Sequence, residues 1–240
     1  MFSRIASLKP VFTITHLELR IAKPVDLNPI EYVAKFPPGD HVMLLYEDLN
    51  YAKLIEFSYL LEGLHRKEYC IYGSYKSQAY IESLMLAKGL HVGQFKQQGL
   101  LHVEKTETLL DELVKPDLTQ HKILSTLLSK VNRPFRMILG FDRERYTKND
   151  LSEHIKLDVI LQKVILKARK GLGMYGHLIG KGSILCTYAI DAVTLGNPHL
   201  IKTALKSHHQ AILVPKHGIG TVLKSNDLLR RYMNSWFGLN

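Results

Sequence analysis

Five groups of residues in this chain have types and spacings that bear on chemistry. The first is the loop Tyr46-Glu47-Asp48-Leu49-Asn50-Tyr51, which follows an apolar run and precedes a helical pattern. A loop in that place holds phosphate when it reads G-x-x-x-x-G-K-S/T, because glycines let backbone N–H groups converge on the anion. Here no glycine is present, two carboxylates would repel a phosphate, and Lys53 comes too late to stand for the motif lysine. Nucleotide hydrolysis through the usual loop is therefore not expected.

The second group is Gly171-Leu172-Gly173-Met174-Tyr175-Gly176, which matches G-x-G-x-x-G, followed by Gly180-Lys181-Gly182-Ser183. A dinucleotide fingerprint must leave a strand and open a helix, so that the helix N-terminus meets the pyrophosphate. These glycines instead follow a helical pattern and lead into a strand, where they read as a helix stop and a flexible connection. The third group is the histidines, twelve in number. None form H-E-x-x-H or another close ligand pair, so capping, turn and surface roles are expected. No metal site is expected from spacing, and only histidines distant in sequence could build one.

The fourth possibility is a nucleophile. There is no G-x-S-x-G elbow, and neither Cys70 nor Cys186 lies at a strand end backed by a helix N-terminus, which thiol activation needs. The fifth group is Lys156, Lys163, Lys167 and Lys170, which fall on one side of a long helical pattern, with Arg133, Arg136, Arg143, Arg145 and Lys148 nearby. Such a face attracts phosphate backbones without sequence preference. Asp142, Glu144, Asp150 and Glu153 are interspersed, so a solvated helix face is the plainer reading, with nucleic acid as the alternative.

The elements that must position these residues alternate. Strands are expected at 41–47, 68–74, 100–104, 136–141, 183–190 and 210–214. Helices are expected at 50–67, 77–88, 106–113, 119–130, 149–170, 198–207 and 225–236, with Ser77 as an N-cap and Gly89 as a stop. The long helix carries an apolar stripe at Leu157, Ile160, Leu161, Val164, Ile165 and Ala168. Strand–helix alternation predicts an α/β fold, a three-layer sandwich with a mainly parallel central sheet and right-handed crossovers. Residues 1–38 read as an N-terminal extension with a candidate strand at 11–21, residues 39–215 as the main domain, and 216–240 as a helical tail.

Composition adds limits. The formal charge of +10 suits nucleic acid, an anionic ligand or an acidic partner, and also suits solubility alone. No apolar run approaches the ~20 residues of a membrane span. Two cysteines, Cys70 and Cys186, each within a predicted strand, read as buried and reduced, in keeping with a cytoplasmic protein.

Two blocks carry a family resemblance. The first is GDHVMLLYE with a helix ending EGLHRKEYCIYGS, and the second is SILCTYAIDAV with a helix ending LKSHHQAILV. Asp40, His41, Tyr46 and Glu47, then Gly63, Leu64, Glu68, Cys70 and Tyr72, then Cys186, Tyr188 and His208 fall on motif positions. Over roughly 39–215 the chain resembles the MEDS domain, a sensory domain named for methanogens, methylotrophs and the dichloromethane-dehalogenase regulator. It departs from that pattern at Lys67 (often Gly), Ala189 (Asp) and His209 (Pro). The resemblance implies a RecA/KaiC-like fold whose phosphate loop has been lost, and a sensing or signal-transducing role.

In open α/β sheets ligands gather beyond the carboxyl ends of the strands. That rule places Tyr46, Glu47, Gly73, Ser74, Asp142, Tyr188 and Asp191 around one crevice. Its carboxylates favour a cationic or hydrogen-bond-donating ligand. The expectation is thus a non-catalytic regulatory domain that needs no cofactor and binds a small molecule or a signalling partner, a second copy of the chain among the candidates. The alternatives are a nucleic-acid-binding regulator using the lysine face, or a KaiC-like ATPase with an atypical loop.

Overall fold

The apolar runs become one sheet. Seven strands, β1 (His41–Tyr46), β2 (Tyr69–Ser74), β3 (Leu101–Lys105), β4 (Phe135–Gly140), β5 (Gly182–Ala189), β6 (Gln210–Val214) and β7 (Thr221–Lys224), lie in the order β3-β2-β4-β5-β1-β6-β7. All neighbouring pairs are parallel except β6–β7, which is antiparallel. The structure is a computed structural model that describes residues 27–113, 133–140, 181–190, 203–214 and 220–224, with Ile155, Lys156, Asp158, Val159 and Gln162. The expected strand at 11–21, the helices at 119–130 and 225–236, and the glycine-rich 171–180 lie outside them.

Parallel strands are covered on both faces and so read as continuous apolar runs rather than alternating ones. β2, β4 and β5 are buried along their whole lengths. Helices α1 (Pro29–Ala34), α2 (Leu49–His65), α3 (Gln78–Ala87), α4 (Val92–Gln97) and α5 (Thr106–Leu113) complete the fold. On one face, Ala52, Ile55 and Leu60 of α2 and Ile81 and Met85 of α3 pack on Val42, Leu44, Tyr72, Ile138 and Leu185. The opposite face receives α5, whose Leu109 lies over Gly73 and Leu139, and the helical residues around Asp158. The result is a three-layer α/β sandwich with a mostly parallel sheet, as the alternation predicts.

Three short elements escape the sequence reading. Within 1–38, α1 packs on α2, and Val33 of α1 and Phe36 just after it join the core, so those residues pack with the main body. Within 216–240, β7 is a strand joined to the sheet, and Leu27 bridges Gly220 beside it. No element is expected over 92–97, where α4 lies. Each of α1, α4 and β7 has four to six residues, too few for a period to show.

The end of α2 explains two residues of the resemblance. Lys67 N–H bonds the Leu64 carbonyl at 3.0 Å and Glu68 N–H bonds the Gly63 carbonyl at 2.8 Å, a Schellman closure. That closure needs a left-handed residue, and Lys67 supplies it at φ +59°, a conformation that glycine adopts most easily. Gly63 has a separate cause: a Cβ there would stand 2.7 Å from Arg136 Cδ and 2.9 Å from Cys70 Sγ. The space is filled by Arg136, which is buried and held by Glu68 at 2.6 Å, the Tyr59 carbonyl at 2.9 Å and the Ala34 carbonyl at 3.2 Å.

Candidate functional site

Side chains alternate across a strand, so each strand of the buried sheet serves two different sites. Val42, Leu44 and Tyr46 face α2, while His41 and Met43 face the other side. The register pairs Met43 with Cys186 and Leu45 with Tyr188. Cys186 and Tyr188 therefore share the face of His41, and Thr187 shares the face of Leu44. Two polar clusters result, one on each side of the sheet.

The cluster under α2 begins at the loop that a phosphate would need. Asp48 caps the helix: its Oδ1 accepts the N–H of Asn50 at 2.8 Å and of Tyr51 at 3.3 Å. Those are the amide groups that a bound anion would use, and here a side-chain carboxylate of the same loop occupies them. Lys53, one turn further, runs inward and is buried. Its Nζ donates to Glu56 Oε2 at 3.0 Å and to the Tyr72 hydroxyl at 2.8 Å. Tyr72 donates in turn to Glu56 Oε2, and Thr187 donates to Glu56 Oε1 at 2.7 Å. Burial, then the Glu56 charge, raises the Tyr72 hydroxyl well above its ordinary pKa, so it stays a donor. Both oxygens of the buried Glu56 carboxylate are thereby engaged, which is the condition for keeping an ion pair inside a core.

The cluster on the opposite face joins four segments. His41 opens β1, Cys186 and Tyr188 lie on β5, His208 sits in the turn before β6, and Asp158 comes from the helical residues above. All are buried. The Cys186 thiol donates to Asp158 Oδ1 at 3.2 Å and lies 3.3 Å from His41 Nε2. Asp158 Oδ1 is 3.9 Å from His41 Nε2, and Asp158 Oδ2 is 3.4 Å from His208 Nε2. The Tyr188 hydroxyl donates to Asp158 Oδ2. The two imidazole rings stack with centroids 4.0 Å apart.

Burial dominates the electrostatics of this second group. It raises the Asp158 carboxyl to about 7 against the pull of hydrogen bonds from Tyr188 and Cys186. It lowers His41 to about 4 and His208 well below its ordinary value, so both imidazoles are neutral. Burial and the neighbouring Asp158 charge raise the Cys186 thiol, the reverse of nucleophile activation. A Cys–His–Asp hydrolytic reading fails on that shift and on the burial of all three groups.

The sequence-predicted crevice is only partly assembled. Tyr46 is buried on the α2 face, and Glu47 is exposed at the end of β1, its amide bonded to the Val214 carbonyl at 3.2 Å. Ser74 is buried at the end of β2, its Oγ accepting the Lys76 amide at 3.1 Å. Gly73 is a packing position: a Cβ would meet Leu109 at 3.0 Å and Leu139 at 3.1 Å. Tyr188 faces the other side of the sheet from Tyr46, because the register sets it beside Leu45. Asp142 and Asp191 lie outside the described residues. So do Lys163, Lys167 and Lys170 of the lysine face; Lys156 is exposed.

The residue that sequence reasoning missed is Asp158. The signal available was spacing: Ile155, Asp158 and Gln162 stand at i, i+3 and i+7, one face of a helix. Ile155 and Asp158 are both buried. A metal-capable group is present, of the kind the sequence left to histidines distant from one another. His41, Asp158, Cys186 and His208 bring one ligand atom each to within 4.8 Å of one another. His41 and His208 stand 167 residues apart in sequence, so spacing could not show it.

Comparison with known proteins agrees with the architecture. No protein-family model matches the chain, and no curated protein matches it. Among solved structures, a KaiC-like protein from the hyperthermophilic archaeon Pyrococcus horikoshii superposes with a TM-score of 0.50 at 10% identity, over 80% of this chain and 82% of that one. A second protein of the same organism superposes at 0.47 and 8% identity, over 84% and 94%. Among the described residues no helix is long and apolar enough to cross a membrane. The fold is RecA/KaiC-like.

Proposed function

We propose that this chain is a regulatory or sensory module of RecA/KaiC-like fold. It binds a small ligand or a signalling partner at the carboxyl edge of its sheet and does not turn over nucleotide. The observation that carries the reading is the internal use of Asp48 and Lys53. The amides that open α2 are capped by Asp48, and the lysine of the first helix is committed to Glu56 and Tyr72 beneath it. To hold a triphosphate, the loop would have to expel its own carboxylate and draw Lys53 out of a buried ion pair. Each step costs on the order of 1 kcal/mol for a cap and several for a broken buried pair.

The motif resemblance to a sensory domain supports the same reading. The exposed Glu47 beside the end of β6 is the group we assign to ligand or partner contact, and it favours a cationic or hydrogen-bond-donating partner. A thermal-shift screen of small amines, alcohols and amides tests it. A compound that raises the Tm of wild type, but not of Glu47→Ala, supports the assignment. ATP hydrolysis by wild type that is abolished in Lys53→Met overturns the reading.

A further inference from the structure

The cluster on the second face has features that a proton network alone does not explain. We propose that His41, Asp158, Cys186 and His208 form a closed binding site for one divalent transition-metal ion of the zinc class. The site lies on the opposite side of the sheet from Asp48 and Lys53, and it stands whether or not the regulatory reading does.

Distances come first. A tetrahedral ion with bonds of about 2.0–2.3 Å to N, O and S sets its ligand atoms roughly 3.3–3.7 Å apart. Cys186 Sγ is 3.3 Å from His41 Nε2 and 3.2 Å from Asp158 Oδ1. His208 Nε2 is 3.4 Å from Asp158 Oδ2, and His41 Nε2 is 3.9 Å from Asp158 Oδ1. Three of these separations lie within about 0.1 Å of that range and the fourth is longer, and one ligand atom from each of the four residues lies within 4.8 Å of the others, so a modest contraction would close the shell.

Tautomers come second. His41 Nδ1 meets two acceptors, the Ser207 carbonyl and Gln162 Oε1, each at 3.0 Å. His208 Nδ1 meets the Ala204 carbonyl at 2.6 Å. The proton of each neutral ring therefore sits on Nδ1, and each Nε2 presents a bare lone pair to the carboxylate and the sulfur. Lone pairs facing a carboxylate repel unless a proton or a metal cation lies between them, and one ion answers both rings at once. His208 Nε2 is buried with no hydrogen-bond partner among the described residues, which is costly for a polar atom. Metal-bound histidines are held through their other nitrogen in this way, and Tyr188 holds the Asp158 carboxylate in the same outer role.

Charge comes third. A dication, a thiolate, a carboxylate and two neutral imidazoles sum to zero, the sum that a buried site requires. On binding, the Cys186 thiol passes its proton to solvent, and the Asp158 carboxyl does likewise where it holds one. Two nitrogens, one sulfur and one oxygen as donors favour zinc over calcium or magnesium, which take oxygen shells. Four protein ligands leave no open position, so the ion ties β1, β5, the turn before β6 and the helix of Asp158 together.

The test uses the full chain, stripped with a chelator and titrated with Co2+ alone. One equivalent is expected to give the strong visible bands of tetrahedral cobalt and a near-ultraviolet thiolate-to-cobalt band, both displaced by Zn2+. The thiolate band should survive Cys70→Ser and vanish in Cys186→Ser, and Tyr188→Phe should weaken affinity by about 10- to 100-fold. The chain has two cysteines, so if Cys186→Ser fails to fold, the Cys70→Ser spectrum decides alone. A stripped wild type with native far-ultraviolet dichroism and no thiolate band overturns the proposal, as does a band lost in a folded Cys70→Ser.

Discussion

The Cys186 thiol and the Asp158 carboxylate are 28 residues apart in sequence and 3.2 Å apart in the fold, both shut away from solvent. A carboxylate in that position is tolerated only if its surroundings supply protons or a cation. With a zinc-class ion bound, the site becomes part of the stability of the fold. Adding Zn2+ to chelator-stripped protein at ~1,000 times the dissociation constant should stabilise it by about 4 kcal/mol. For a chain of this length that is a rise of roughly 8–16 °C in Tm. Asp158→Asn should lose most of the zinc-dependent rise while folding without metal; a rise as large as that of wild type would exclude Asp158 as a ligand.

Lys67 sits at φ +59° because the end of α2 requires a left-handed residue. A β-carbon there costs about 1–2 kcal/mol, partly offset by the lower backbone entropy of a non-glycine residue in the unfolded chain. Lys67→Gly should therefore raise unfolding stability by about 0.5–1 kcal/mol in a urea titration. Lys67→Ala, which keeps the strain, should leave it nearly unchanged. A Lys67→Gly variant less stable than wild type would contradict the Schellman closure.

Glu56 accepts from Lys53, Tyr72 and Thr187 in a buried setting. Glu56→Ala strands the Lys53 charge and should cost about 3–5 kcal/mol. Adding Lys53→Met removes the stranded charge, and the double variant should recover about 2 kcal/mol of that loss. Equal stabilities for Glu56→Ala and the double variant would mean that Lys53 reaches solvent without Glu56.

Asp48 caps α2, its side chain accepting the amides of Asn50 and Tyr51. Asp48→Ala should cost about 1 kcal/mol, and Asp48→Asn or Asp48→Ser much less, because each keeps an accepting oxygen. Denaturant midpoints of the three variants distinguish a cap, which they rank in that order, from a merely solvated carboxylate, which they do not.

Much of this architecture was legible in the sequence because parallel strands are apolar on both faces. HVMLLY, FRMILG and QAILV announce themselves by composition, and α2 does so by its helical spacing. What was not legible depends on register. Tyr46 and Tyr188 both end strands, and only the pairing of Leu45 with Tyr188 reveals that they face opposite ways. Asp158 reads as one more polar residue on a long helix until the side it turns inward is known. Lys53 stands too late in the chain for a phosphate, and the structure adds where it goes instead: inward, against Glu56. His41, Cys186 and His208 were singled out by motif, while their meeting point is a property of the fold.

The inward turn of Asp48 and Lys53 is the basis of the proposal that this loop holds no phosphate, and calorimetric titration with ATP and magnesium puts it to the sharpest test. Wild type should give no saturable heat at millimolar nucleotide, and Lys53→Met should give the same flat trace. Saturable binding by wild type that Lys53→Met removes would contradict it, because Lys53 would then be holding phosphate rather than Glu56.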